Sequence, residues 1–327
     1  MTLVVASESF DALESGWSKL LDSSESDKVF LTPLWQSLWW RWMGQDSSLL
    51  LLSARNSNGL KGIAPLVQKD GTLAFLGGTD LVDYHDFIVA DNDAGEFFAA
   101  LAEYLAAQTE WEALHFGSLP EGSSALEQLP TALRAHGLDV VVEPEDVAPG
   151  MQLPESWDEY LAGLKKKDRH ELRRKLRRLE GAGALRYYAI SSPDELPEAM
   201  NFFLGLMRES RDDKAEFMTS EREEFFRDMA RELLAADVLR LFFLELDGVR
   251  VAATLCMDYR GTRFLYNSGF DRAYNHLSVG LLLKVLCLRD AIESGMSYYD
   301  FLRGDERYKY DLGAVDVQIY TMTARRA

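Results

Sequence analysis

The sequence is poor in cysteine, and that already narrows its chemistry. Among 327 residues only Cys256 and Cys287 carry thiols. Two cysteines make no disulfide framework, and neither lies in a C-x-x-C or C-x-x-H spacing, so both read as small buried hydrophobes. The five histidines (His85, His115, His136, His170 and His276) are scattered without metal-ligand spacing, and no metal is expected. Also missing is an uncharged apolar run of the ~20 residues needed to span a bilayer. The longest candidate, Leu277 to Leu288, is cut by Lys284. The opening residues lack a basic region followed by a long apolar stretch, so no secretory signal is expected and the chain reads as cytoplasmic. Positive charge is scarce overall. A net charge of -18 argues against a DNA-binding protein.

The length exceeds one ordinary domain and suits two. With 47% hydrophobic residues and 11% aromatic, the chain can bury substantial cores. One segment departs from the acidic background. Between Lys165 and Arg178 stand nine Lys or Arg against Asp168 and Glu171, a local balance of +7 that leaves -25 for the rest.

Thr32-Pro33 followed by four tryptophans (Trp35, Trp39, Trp40, Trp42) and Gly44 predicts a capped helix whose indoles form core or a binding wall. Strand and hairpin patterns follow: Leu49–Ser53, a turn at Asn58-Gly59, Ile63–Val67, a turn at Asp70-Gly71, then Leu73–Leu76. Phe87–Val89 is a short strand, Phe97–Ala107 has helical spacing, and Ala113–Phe116 returns as a strand. The order recurs near the C-terminus. Leu241–Leu246, Asp247-Gly248, Val251–Asp258, Arg260-Gly261 and Phe264–Asn267 lead to a helix over Val279–Glu293 and a closing strand over Tyr298–Leu302. Turn glycines lie 12 residues apart in the first half and 13 in the second. Such a repeat of element order implies two mixed sheets with helices packed upon them, class α/β (α+β). Pro144, Pro149-Gly150 and Pro154 interrupt regular structure, which places a boundary there and gives halves of residues 1–147 and 148–327. Two facing sheets would leave a cleft between them.

The basic string Leu164–Leu179 is followed by Tyr266-Asn267-Ser268-Gly269-Phe270-Asp271, Ser278-Val279-Gly280, Tyr299-Asp300-Phe301-Leu302-Arg303-Gly304 and Tyr308-Lys309. This succession resembles the Fem-like and cellulose-biosynthesis-type acyltransferases of the GNAT superfamily, over residues 164–309 more closely than over the first half. The resemblance implies a duplicated GNAT fold. It also implies transfer of an acyl group from acyl-CoA, such as acetyl-CoA, or a carrier thioester to an amine or hydroxyl of a small-molecule acceptor. A sugar, sugar nucleotide or envelope precursor, phosphorylated or not, is the class expected. Fem ligases use aminoacyl-tRNA instead, so tRNA enters only under that alternative. A non-catalytic relic acting as a scaffold is the other.

In GNAT folds the donor's pantetheine arm pairs with a splayed strand, and the following helix points its N-terminus at the pyrophosphate. The matching strand is Phe264–Gly269, with Tyr266 beside the donor. The matching helix starts at Ser278-Val279-Gly280, where Ser278 is expected to cap it and Gly280 to admit a phosphate, with Arg272 adding charge. A capped helix with a packing glycine explains the same residues. Asp300, at the end of the closing strand, is a candidate general base. Capping the Arg303-Gly304-Asp305 turn is its other reading. His276 is a second catalytic candidate; Asp271 and Arg303 are candidates for the acceptor side. Tyr308 suits protonation of a departing thiolate, and Lys309 matches the lysine of the Fem-like aromatic-Lys motif, where a cation stabilises an oxyanion. Leu172, Leu176 and Leu179 form one helical stripe, while Arg169 and Arg173 share another face suited to phosphate. A solvated face neutralising an acidic protein accounts for them equally.

Overall fold

The computed structural model describes residues 3–326. The chain divides into two compact units, one ending at Val147 but including the chain from Val317 onward, the other running Ala148–Asp316. The last strand therefore goes with the first unit, not with the second half in which its sequence position places it. Its stretch from Ile319 to Arg325 is hydrogen-bonded antiparallel to Pro120–Ala113.

The first unit contains β1 (Val4–Ser7), α1 (Phe10–Leu21), α2 (Pro33–Met43), β2 (Ser48–Asn56), β3 (Gly59–Lys69), β4 (Thr72–Phe75), β5 (Ile88–Val89), α3 (Ala94–Ala107), β6 (Ala113–Pro120) and α4 (Ser124–Ala135). It continues into β7 (Leu138–Gln152), whose last residues belong to the second unit. The second unit contains α5 (Trp157–Gly163), α6 (Lys166–Glu180), β8 (Leu185–Ala189), α7 (Leu196–Ser210), α8 (Asp212–Phe217), α9 (Ser220–Ala235), β9 (Leu239–Leu246), β10 (Val249–Tyr259), β11 (Thr262–Phe270), α10 (Val279–Glu293), β12 (Tyr298–Asp300) and α11 (Arg307–Asp311); β13 (Val315–Arg326) closes the chain.

Both units use one strand plan. In the first, the order is β1-β2-β3-β4-β6-β13, antiparallel except for the parallel pair β4–β6. In the second it is β8-β9-β10-β11-β12, antiparallel except for the parallel pair β11–β12, with the end of β7 antiparallel to β12. The hairpins follow from their turn residues. Asp70-Gly71, Asp247-Gly248 and Arg260-Gly261 each take positive φ at both positions (47° and 74°, 51° and 82°, 50° and 75°), as type I′ turns demand.

The prolines do not break the chain at residues 144–154. β7 runs extended through Pro144 and Pro149, because the ring's fixed φ lies within the extended range and only the N–H is lost. The Pro149 carbonyl still accepts from the Phe301 amide.

Each unit has its own core. In the first, Phe75, Phe87, Phe97, Phe98 and Phe116 pack edge-on or tilted. Thr32 Oγ1 caps α2 by accepting from Trp35 N, Pro33 occupies its first position, and Trp35 is fully buried. In the second unit α10 lies on the sheet with nearly all its apolar side chains inside. The buried Arg263 fixes that helix: it donates to Asp258 (2.6 and 2.8 Å), to Asp290 (2.7 Å) and to the Cys287 carbonyl (3.0 Å). No helix among the described residues is long and apolar enough to cross a membrane.

Candidate active site

In the second unit β11 and β12 pair only through Thr262–Phe264 and Tyr298–Asp300. Beyond that, Leu302 (φ 59°) and Gly304 (φ 104°) turn the chain away, while β11 continues to Phe270. Leu265–Phe270 thus bonds β10 on one side, and no strand of the described residues lies on the other. The β10 register shifts from Leu255↔Asn267 to Cys256↔Leu265, leaving Tyr266 as an extra, bulged residue. A 3-10 turn, Arg272–Leu277, then leads into α10. The result is a splayed strand edge with a bulge at its middle and a helix N-terminus at its end.

The first unit has the same divergence, since β4 and β6 pair only through Thr72–Ala74 and Ala113–His115. Here the gap is filled. His85 N donates to the Ser118 carbonyl (2.9 Å), and the buried Asp86 accepts from Ser26 Oγ and Phe87 N (both 2.8 Å). Burial pushes the Asp86 carboxyl up to about 6. Among the described residues no strand fills the divergence in the second unit, whereas His85 bonds across it in the first.

The residues before α10 are placed as follows. Asp271 caps the 3-10 turn through Ala273 N (2.8 Å), and the exposed His276 directs Nδ1 at the Ala273 carbonyl (3.2 Å). Arg272 bonds the Ser210 carbonyl and Asp212 (3.2 and 2.6 Å). Ser278 does not cap α10 with its side chain, as its sequence position suggests. Its backbone is left-handed (φ 59°, ψ 36°), and only its carbonyl serves the helix, accepting from Leu282 N. Gly280 meets protein instead of open space, because a Cβ there would stand 2.7 Å from Phe270 Cδ1. Tyr266 packs its ring 5.8 Å from that of Phe226.

The turn after β12 gathers Asp300, Arg303, Tyr308 and Lys309. Buried Asp300 accepts from Leu302 N (2.8 Å) and so holds the left-handed residue. Lys309 is 2% exposed. Its Nζ donates to the carbonyls of Leu302, Arg303 and Gly304 (2.9, 2.8 and 2.9 Å) and pairs with Glu306 (2.9 Å). Tyr308 lies under Lys284 Nζ, 4.7 Å from the ring centroid, and burial pushes its phenol well above the usual range. Burial, reinforced by Lys309 and Arg211 and opposed by Glu306, lowers Lys284 to about 8.

On α6, Arg169 and Arg173 part company. Arg169 donates to the carbonyls of Leu161 and Ala162 (3.3 and 3.0 Å) and closes the end of α5. Arg173 is exposed, together with Lys165, Lys166, Lys167, Arg177 and Arg178. Leu172 and Leu179 are buried and Leu176 half-buried, as the stripe requires. A pocket of about 60 Å³ lies between α6, α10 and α11, lined by Asp168, Lys175, Leu281 and Tyr308 among others. Among the described residues no group of three or more His, Cys, Asp or Glu is arranged to hold a metal.

Two lysines at the splay were not anticipated as site residues. Lys284 carries a sequence signal, the one charge within Leu277–Leu288. Lys214 of α8 carries none, standing in a solvent-typical Asp212-Asp213-Lys214 run. Yet its Nζ donates to Asn267 Oδ1 (2.8 Å) and the Ser268 carbonyl (2.6 Å) on the open edge of β11.

Residues 166–310 match the family profile described as "Acetyltransferase (GNAT) domain". The matched residues all lie in the second unit. Solved structures extend the likeness over the whole chain as a fold. FemX superposes with TM-score 0.66 at 12% identity, covering 97% of this chain and 96% of its own. A tandem GNAT protein from the clavulanic acid biosynthesis pathway gives 0.55 at 15% identity, covering 99% of each. L-PGS from Bacillus licheniformis gives 0.55 at 13%, covering 95% of this chain and 90% of its own. No curated protein matches by sequence. The chain thus has the mixed α/β fold seen in FemX and in the tandem GNAT protein.

Proposed function

We propose that this protein is an acyltransferase whose second unit binds an acyl thioester, acyl-CoA or a carrier-bound acyl group, and transfers the acyl group to an amine or hydroxyl. A sugar, sugar nucleotide or envelope precursor is the acceptor class. The observation that carries the reading is the open edge of β11. Beyond Phe264 no strand of the described residues flanks β11 on that side, and a pantetheine arm would add there like a strand. The bulge at Tyr266 re-aims the backbone where the thioester would lie. Val279 and Gly280 open α10, whose first amides have no intrahelical partner and favour an anion such as pyrophosphate. The thioester supplies an activated acyl carbon; the chain supplies its placement. Tyr308, held protonated by burial, suits delivery of a proton to the departing thiolate. The filled gap of the first unit supports a single donor site per chain, in the second unit.

Isothermal titration with acetyl-CoA, longer acyl-CoAs and free CoA tests the reading. Saturable binding of any of the three supports it. No binding by any of the three overturns the CoA form. One observation favours a second reading, an aminoacyl-tRNA donor: the exposed cations of α6 form an extended basic face such as a nucleic-acid backbone would need. Binding of aminoacyl-tRNA without binding of CoA selects it.

A further inference from the structure

We infer that Lys214 is the proton acceptor for the attacking amine, an inference that rests on the donor reading above. A neutral lysine has two N–H donors and one lone pair, whereas an ammonium has three donors and none. The number of acceptors around each lysine therefore separates the roles of Lys309 and Lys214.

Around Lys309 Nζ stand three backbone carbonyls and a carboxylate within 2.9 Å. Every proton of an ammonium is used, and removing one would leave a buried acceptor unsatisfied. Lys309 holds a turn, with no direction left open at its Nζ. Around Lys214 Nζ stand two acceptors, Asn267 Oδ1 at 2.8 Å and the Ser268 carbonyl at 2.6 Å. The orientation of the Asn267 amide is settled by its neighbour, since the same Oδ1 accepts from Ser268 N (2.8 Å). Two acceptors satisfy the two protons of a neutral amine, which leaves the lone pair for a third direction.

The surroundings favour the neutral form. Burial, Lys284 of α10 and Arg211 just before α8 all disfavour a charge on Lys214 and bring it down to about 7, against the opposing pull of Asp213 and Glu306. Position completes the case. Asn267 and Ser268 directly follow the bulged Tyr266, so the amine sits on the open edge where the thioester carbon would be presented. The other carboxylate and imidazole candidates are engaged elsewhere: Asp300 with Leu302 N, Asp271 with Ala273 N, His276 with the Ala273 carbonyl.

In the step, the acceptor nitrogen bonds the thioester carbonyl carbon and the C–S bond breaks. The nitrogen's proton passes to Lys214 Nζ, and the thiolate takes a proton from Tyr308 or water. Lys214 then returns its proton to solvent or Tyr308. Amine plus thioester gives amide plus thiol.

The test begins with the full-length protein carrying ¹³C at the lysine ε position, its Lys214 signal assigned by loss in Lys214→Arg. A titration midpoint near 7 is expected. A midpoint near the ordinary ~10.4 overturns the inference. Release of CoA thiol from acetyl-CoA, with glucosamine as probe amine and with water alone as acceptor, is then followed against pH. The rate should rise through the same midpoint. Lys214→Met and Lys214→Arg should each lower it by about 100-fold or more, the scale of general-base catalysis, while acetyl-CoA affinity by calorimetry stays within a few-fold. Arginine keeps the charge and the hydrogen bonds but cannot take up a proton, so rescue by Lys214→Arg shows a structural role and overturns the inference. Failure of the wild-type protein to bind acetyl-CoA is a separate result: it removes the CoA donor reading and with it the reaction proposed for Lys214.

Discussion

Lys309 Nζ stands 2.9 Å from the carbonyl oxygen of Leu302, a residue whose own backbone is left-handed at φ 59°. The lysine thereby compensates a conformation that leucine rarely adopts. With the Arg303 and Gly304 carbonyls also on Nζ, it ties α11 to the turn that ends β12. Lys309→Met keeps the apolar stem and removes the donors. Glu306 is half-exposed and can turn to water, so the cost falls on the carbonyls, about 2–4 kcal/mol for buried acceptors left without partners. Thermal unfolding should show a melting temperature lower by roughly 5–10 °C. A variant that melts like wild type yet loses turnover would instead put Lys309 at the chemistry.

Gly280 and Phe270 meet where β11 leads toward α10. A Cβ at Gly280 would lie 2.7 and 3.0 Å from ring carbons of Phe270, inside van der Waals contact. Gly280→Ala should therefore cost about 1–3 kcal/mol by overpacking, despite alanine's better helix propensity. Shrinking the neighbour should restore the space. In a double-mutant cycle by urea unfolding, Phe270→Leu and Gly280→Ala should couple favourably by about 1 kcal/mol. Additive costs would show that the ring already moves freely.

How far these relationships were legible depends on how local their causes are. The hairpins were readable because Asp70-Gly71 and Asp247-Gly248 specify their turns by themselves, and α10 because Val279–Glu293 is long, apolar and bounded. β7 was not, since prolines that break a helix are compatible with an extended strand, and a pattern cannot say which state the chain is in. Ser278 had the composition of a side-chain cap, but its left-handed backbone aims the hydroxyl elsewhere. Lys214 was invisible because its environment is made by Asn267 and Ser268, more than fifty residues away. The return of the last strand to the first unit is likewise set by pairing with β6, not by anything in its own residues.

Arg169 and Arg173 share a helical face but not a role, and stability separates them from binding. Arg169→Ala removes two bonds to the end of α5 and should cost about 1 kcal/mol. Arg173→Ala, exposed, should leave the unfolding midpoint within about 0.5 kcal/mol of wild type. If α6 meets a phosphate-bearing ligand, Arg173→Ala should weaken binding of a phosphorylated acceptor and leave the unphosphorylated one unaffected. Equal weakening of both would remove the phosphate role.

Asp86 gives the first unit a pH dependence opposite to that of a salt-bridged carboxylate. Burial raises its pKa from the ordinary 3.8 to about 6, so between those values the folded chain binds a proton that the unfolded chain has released. Stability must then fall as pH rises from about 4 to about 6, by about 3 kcal/mol for a shift of this size, and stay at the lower level above it. Asp86→Asn retains an oxygen for Phe87 N and offers an amide proton to Ser26 Oγ, without a charge to desolvate. The variant should therefore match wild type near pH 4 and exceed it near pH 7. Urea unfolding of both proteins across that range measures the difference directly. A constant difference would mean that Asp86 is ionised in the folded chain throughout, its charge carried by Ser26, Ser123 and the nearby Lys28.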